Sequence, residues 1–157
     1  MTTAVVERWV EAPLETFVRD SGVSIALLLH PSGQVMAQHG FARAVDVMTA
    51  CALAAAIHAS SGELGRTLDG RPFTQLHHAG AERGISLTEA TTRAGRFLLL
   101  AVFDHATSLG IVRLYAEEFA GALALAAPAP PQHLEPALAV NFERDLNRNL
   151  AVLFGRA

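Results

Sequence analysis

The chain has 157 residues, 51% of them hydrophobic, with a formal net charge of -3 and one cysteine. A chain of this length forms one domain and buries most of its apolar surface without a metal or disulfide staple. The mild negative charge, with no basic stripe interleaved with aromatics, argues against nucleic acid as a partner. Cys51 has no second cysteine to pair with, and residues 1–11 lack a charged n-region leading into an apolar h-region, so a cytoplasmic protein is expected. Every basic residue is arginine and none is lysine, beside much alanine, which reads as a composition bias and not as guanidinium chemistry at each site.

From the N-terminus, Val5, Val6, Trp9 and Val10 fall at helical spacing, and Leu14, Phe17 and Val18 continue the pattern past Pro13. Pro13 either starts a second segment or kinks one helix, because it has no N–H for the preceding turn. Ser21-Gly22 ends the element. Residues 23–29, VSIALLL, form a continuous apolar run of strand length. After the turn HPSG at 30–33, residues 34–39 (QVMAQH) return with partial alternation, so the two segments make a hairpin.

Residues 43–61, RAVDVMTACALAAAIHASS, are too long and too rich in alanine for a strand and read as a helix with almost no charged side. The charge-free run after Asp46 falls short of the roughly 20 strongly apolar residues a bilayer needs, so direct membrane insertion is not expected. On a helical wheel Val47, Met48, Cys51 and Ala55 share the side expected to cover the sheet. Asp46, Thr49, Ala50, Leu53, Ile57 and Ser60 share the other. That second side mixes leucine and isoleucine with small and polar residues, which suits contact with a second helix, most simply the same helix of a second subunit.

Residues 62–71 read as a loop. Residues 73–78 (FTQLHH) and 84–91 (GISLTEAT) alternate and pair as a second hairpin through 79–83, and a turn at 93–95 leads into the next strand. Residues 97–103, FLLLAVF, are seven apolar residues in a row, the pattern of a strand covered on both faces. Asp104 breaks the run, Ser108 is placed to N-cap, and Ile111, Leu114, Tyr115 and Phe119 are spaced as a helix. The expected fold is an α/β (α+β) sandwich with a central five-stranded, mostly antiparallel sheet, the two continuous runs at its centre and helices on both faces. The Pro-rich stretch AAPAPPQ at 126–132 is a stiff connector, and beyond it Ala139, Phe142, Leu146, Leu150 and Leu153 make one apolar stripe opposite Arg144, Asp145 and Arg148. The boundaries are therefore 1–127 for the domain, 128–133 for the connector and 134–157 for an extra C-terminal amphipathic helix.

The segment SIALLLHPSGQVMAQHG, the alanine-rich helix after it, and RFLLLAVFDHATSLGIVRLYAEEFAGAL together resemble the Roadblock family of dynein-light-chain-type domains, with bacterial MglB-like proteins as the nearest likeness. The resemblance covers residues 14–125. It implies a homodimer with a sheet continuous across the subunits and the second helices side by side. It also implies binding to a small Ras-like GTPase, either as a GTPase-activating protein or co-regulator or, alternatively, as a non-catalytic scaffold in a signalling or motility complex. The dimer and partner surface then falls on the 43–61 helix, with Asp46, Thr49, Ala50, Leu53 and Ile57 as candidates. Activators of this type reshape the GTPase's own machinery, so no catalytic residue, cofactor or metal is expected. Arg43, Arg66 and Arg71 read first as solvated surface arginines, not as phosphate-reaching fingers. The C-terminal stripe either packs back on its own domain or the dimer partner, or offers Phe142, Leu146, Leu150 and Leu153 to a partner's groove.

The other motifs are weak. His77 and His78 are adjacent on a strand and point to opposite faces, so they do not chelate one metal. Asp104, His105 and Ser108 carry the residue types of a hydrolase triad but sit in one short loop without a nucleophile elbow, which assigns them to turn formation and capping. GELGRT at 62–67 lacks the lysine of a P-loop, so the chain is not expected to be a GTPase itself.

Overall fold

The two unbroken apolar runs become adjacent strands. In the computed structural model, which describes residues 3–130, β2 (Ile25–Leu29) pairs antiparallel with β6 (Gly95–Phe103), in register from Ile25 against Val102 to Leu29 against Leu98. Their side chains alternate between two cores. Ala26, Leu28, Leu99 and Ala101 face one, and Leu27, Leu29, Leu98 and Leu100 face the other. A strand wetted on one face would not place leucine on both, so the sheet is covered on both sides.

Around this pair the sheet grows outward by hairpins. β3 (Val35–His39) returns beside β2, while β5 (Gly84–Thr92) and β4 (Gln75–Ala79) extend the β6 side, with every pairing antiparallel. The sheet has six strands and not five, because residues Thr3–Val5 form β1 on the outer edge of β3, giving the order β1-β3-β2-β6-β5-β4. The helical spacing of Val5 and Val6 with Trp9 and Val10 is coincidental: Glu7 is extended, and the helix starts only at Arg8. What decides the matter is the unpaired edge of β3, which Thr3–Val5 satisfies while the Val6 amide donates to the Met36 carbonyl at 2.8 Å. Thr3 Oγ1 lies 2.9 Å from His39 Nδ1 at the end of the same ladder.

Helices α1 (Arg8–Ser21) and α3 (Leu109–Ala126) cover one face, and α2 (Ala44–Asp69) covers the other. α1 runs unbroken through Pro13, burying Val10, Leu14 and Phe17, and ends at Gly22 in the left-handed conformation. Ser108 caps α3, its Oγ accepting from the Ile111 amide at 3.4 Å, and Val112, Ala116, Phe119 and Leu123 face the core. The Phe17 and Phe119 rings meet at 5.7 Å between centroids, which joins α1 to α3.

α2 does not stop at Ser61. It continues through the expected loop to Asp69 and is capped by Gly70, whose amide donates to the Arg66 carbonyl at 3.2 Å. Gly62 and Gly65 are helical and buried, three residues apart on one face. A Cβ on Gly65 would stand 2.5 Å from the Phe73 amide nitrogen and 2.6 Å from the Arg71 carbonyl oxygen, so this glycine exists for the close return of the chain and not for a turn.

Gly65→Ala therefore forces the Arg71 to Phe73 backbone away and lowers stability by about 1–3 kcal/mol in urea unfolding. Gly121→Ala, on the exposed side of α3 with nothing near its Cβ, raises stability by about 0.5–1 kcal/mol. A pH dependence follows from His39, whose pKa is held below its ordinary value chiefly by burial. The unfolded chain then binds more protons than the folded one near and below about pH 6.5, so stability is fully present above that value and declines as pH falls through the lower folded pKa. Acidification from about pH 7.5 to about pH 5.5 should speed hydrogen exchange at the Val6 amide, and His39→Gln should flatten that dependence.

Candidate partner interface

α2 is held to the sheet along one side. Val47, Cys51 and Ala54 are buried among Leu27, Leu29, Leu87, Leu98 and Leu100. Burial raises the Cys51 thiol above its ordinary pKa, which keeps it neutral and unreactive in this core. Further along, His58 Nε2 lies 3.3 Å from Glu89 Oε2, and Arg96 Nη1 lies 3.7 Å from Glu89 Oε1. These contacts link α2 to β5 and β6 beside the apolar packing of Val47, Cys51 and Ala54. Nothing in the local sequence pattern pairs these residues, since the contact depends on how the helix crosses the strands.

The outward side of α2 is the candidate partner surface. No Asp, Glu, Lys or Arg occurs from residue 47 to 62, which at the helical rise is an uncharged stretch of about 24 Å. Along α2, Met48 is 70% exposed and Leu53 59%, and Val45, Leu64 and Leu68 are exposed as well. Five of the ten large hydrophobic residues exposed among the described residues lie on α2.

The structure sorts the candidates from the wheel. Asp46, Thr49 and Leu53 point outward and are exposed, with the Thr49 hydroxyl donating to the Val45 carbonyl at 2.9 Å. Ala50 and Ile57 are half-buried and pack against the sheet-side core, so they flank the outward face and do not lie at its centre. Met48, expected on the sheet side, is instead outward, and Ala54 takes a sheet-facing place. The wheel's division is rotated by part of a turn, because Val47, Cys51 and Ala54 are the residues that meet the leucines of β2, β5 and β6. Val45, Leu64 and Leu68 belong to the exposed apolar surface without being among the candidates. The spacing of Leu64 and Leu68, i and i+4, is the signal, hidden when 62–71 is read as a loop.

A groove of about 400 Å³ adjoins this face, where the start of α2 passes the β1–β3 edge. Its walls are mainly apolar, from Val5, Val35, Met36, Phe41, Val47 and Met48. Arg43 also lines the groove, its Nε 3.8 Å from Asp46 Oδ2, and Arg66 pairs with Glu63 farther along α2. α2 is also the one helix among the described residues long and apolar enough by length and composition to cross a membrane. Its Val47, Cys51 and Ala54 are covered by the sheet, and Glu63, Arg66 and Asp69 charge its last turns.

The weaker motifs have structural work. The His77 ring stacks on Phe103 at 6.1 Å, while His78 is exposed on the other side of β4. Asp104 Oδ1 accepts from the Ala106 amide at 2.8 Å, and Ser108 caps α3, so both oxygens serve the turn and the cap. Among the described residues no group of three or more His, Cys, Asp or Glu side chains is placed to hold a metal ion. Phe142, Leu146, Leu150 and Leu153 lie outside the described residues.

Residues 10–104 match the family model of the Roadblock/LC7 domain. No curated protein matches the chain. Among solved structures, the gliding protein MglB from Thermus thermophilus is 27% identical with a TM-score of 0.68, the alignment covering 81% of this chain and 98% of that one. Myxococcus xanthus MglB is 25% identical with a TM-score of 0.67, over 74% of this chain and 92% of that one. An MglB with a tetrameric arrangement is 26% identical with a TM-score of 0.67, over 81% and 97%. With its family model spanning most of the sheet and both α1 and α2, this chain belongs to the Roadblock/LC7 domain family.

Proposed function

We propose that the protein is a cytoplasmic homodimeric regulator of a small Ras-like GTPase, of the MglB kind. The observation that carries this reading is the uncharged, outward face of α2, with Met48 and Leu53 exposed and running into the apolar groove at the β1–β3 edge. The likeness to MglB structures supports the same reading. Two copies of α2 packed side by side bury this face, and the small residues Ala52 and Ala56 between the larger ones let the helix axes approach closely. β1 already occupies the outer edge of β3, so a sheet continued across the dimer meets β1 first and not β3.

Regulation in this reading works by surface contact. Arg43 and Arg66, the arginines at the two ends of the uncharged stretch, are each paired with an acidic neighbour on the same helix. In this reading the protein acts by holding the GTPase's own catalytic groups in place. Adaptor function uses the same surface and differs only in the hydrolysis rate.

Leu53→Arg puts a charge in the helix pair. It should give monomers in sedimentation velocity with unchanged circular dichroism, since an exposed substitution costs the monomer no more than about 0.5 kcal/mol. A variant that stays dimeric contradicts the assigned face. A small GTPase should be retained from native extract by the wild-type protein, and its GTP hydrolysis should accelerate when this protein is added in excess. Retention without acceleration makes the protein an adaptor, and retention of no GTPase overturns the reading of function while leaving the fold untouched.

A further inference from the structure

The sheet-facing stripe of α2 changes character halfway along the helix. Val47, Cys51 and Ala54 are followed at helical spacing by His58, Gly62 and Gly65. The sheet beneath changes with them: Leu87 and Leu98 meet the first half, and Glu89 and Arg96, two residues along the same strands and on the same face, lie under the second. A cavity of about 290 Å³ lies between these polar strand residues and the second half of α2, with Pro31 and Phe73 as apolar parts of its wall. Gly62 is buried in the α2 wall, where an added Cβ would meet Pro72 Cβ at 3.9 Å and Arg66 Nη1 at 4.0 Å, both ordinary contacts. No backbone approach requires this glycine, in contrast to Gly65, and glycine is unfavourable inside a helix. Its effect is to keep the space open.

We propose that this cavity binds a small zwitterion of the α-amino-acid class, with its ammonium on Glu89, its carboxylate on Arg96 and an apolar side chain against Phe73 and Pro31. The charges of the wall favour that class. Glu63 and Glu89 oppose Arg66 and Arg96, so the four formal charges cancel and a ligand of one sign gains little, while a ligand carrying both signs side by side pairs with both. Glu89 is the innermost of the four, its side chain 15% exposed against 62% for Arg96. One of its oxygens, Oε2, faces His58 Nε2 at 3.3 Å. The other, Oε1, has Arg96 Nη1 at 3.7 Å, beyond hydrogen-bond length, and retains lone pairs for an ammonium donor. Adjacent carboxylate and guanidinium match the adjacent ammonium and carboxylate of one α-carbon. Arg66 is paired with Glu63 on its own helix, which leaves Arg96 as the cation next to Glu89. The inference does not rest on the GTPase reading, since the cavity lies on the sheet-facing side of α2.

The test titrates the full chain, labelled with nitrogen-15, with three probes of one shape: L-leucine, 3-methylbutylamine, which lacks the carboxylate, and 4-methylpentanoate, which lacks the ammonium. L-leucine should give saturable amide shifts at Gly62, Phe73 and Thr74, and each single-charge probe should bind at least about tenfold more weakly, the loss of one charge-assisted contact. Glu89→Gln keeps the side-chain shape and should weaken L-leucine binding by the same factor. Arg96→Gln, at a more exposed position, should do so as well, and it keeps the test decisive if Glu89→Gln fails to fold by circular dichroism. Arg113→Gln, exposed on α3 across the sheet, should leave binding unchanged. The absence of saturable shifts at Gly62, Phe73 and Thr74 with millimolar L-leucine overturns the proposal. So does binding of either single-charge probe as tight as that of L-leucine, or binding that a folded Glu89→Gln or Arg96→Gln chain retains in full.

Discussion

The burial of β2 and β6 on both faces is the constraint from which the rest of the architecture follows. Leu27, Leu28, Leu29 and Leu98 are fully buried, and each is worth about 1.5–3 kcal/mol against an exposed position. Two adjacent strands with leucines pointing both ways need cover on both sides, so helices must fall on each face of one sheet. α1 and α3 share one face and meet through Phe17 and Phe119. α2 covers the other face alone, and that asymmetry is the origin of the candidate interface.

A single helix over a sheet buries one side of itself. α2 gives Val47, Cys51 and Ala54 to the core and keeps its remaining surface outward, yet that surface carries no formal charge from residue 47 to 62. A solvated helix face of that length ordinarily carries charged residues. α2 is packed on the sheet through Val47, Cys51 and Ala54, so Met48 and Leu53 are presented on a helix and not on a loop. The β1–β3 edge supplies the adjoining groove, and β1 also shields an edge that would otherwise be open to unselective strand pairing.

Much of this is legible in the sequence, because the central strands announce themselves as unbroken apolar runs and the hairpins as turn residues between alternating segments. The Ser108 cap is equally plain, its side chain acting within three residues of its own position. What escapes is set by contacts distant in sequence. Thr3–Val5 is a strand because β3, far along the chain, has a free edge, and so short a segment cannot display the alternation of a strand. Gly62 and Gly65 read as breakers, since only the returning Arg71 to Phe73 backbone explains them. The division of α2 into faces is partly right. Val47 and Cys51 face the sheet and Leu53 faces out, while Met48 faces out against expectation, Ala54 fills a sheet-side place the wheel leaves unassigned, and Ala50 and Ile57 sit between. The roll of a helix on a twisted sheet depends on side chains from three strands, which no wheel contains.

The central claim is that the outward face of α2 is covered by a second copy of the chain. Methyl NMR in the presence of a soluble paramagnetic probe tests it residue by residue in the unmodified protein. The account predicts that the methyls of Met48 and Leu53 are shielded at micromolar concentration and become accessible on dilution, while the Ala81 methyl at the β4–β5 turn stays accessible throughout. Met48 and Leu53 methyls broadened by the probe as fully as Ala81 at every concentration would contradict it.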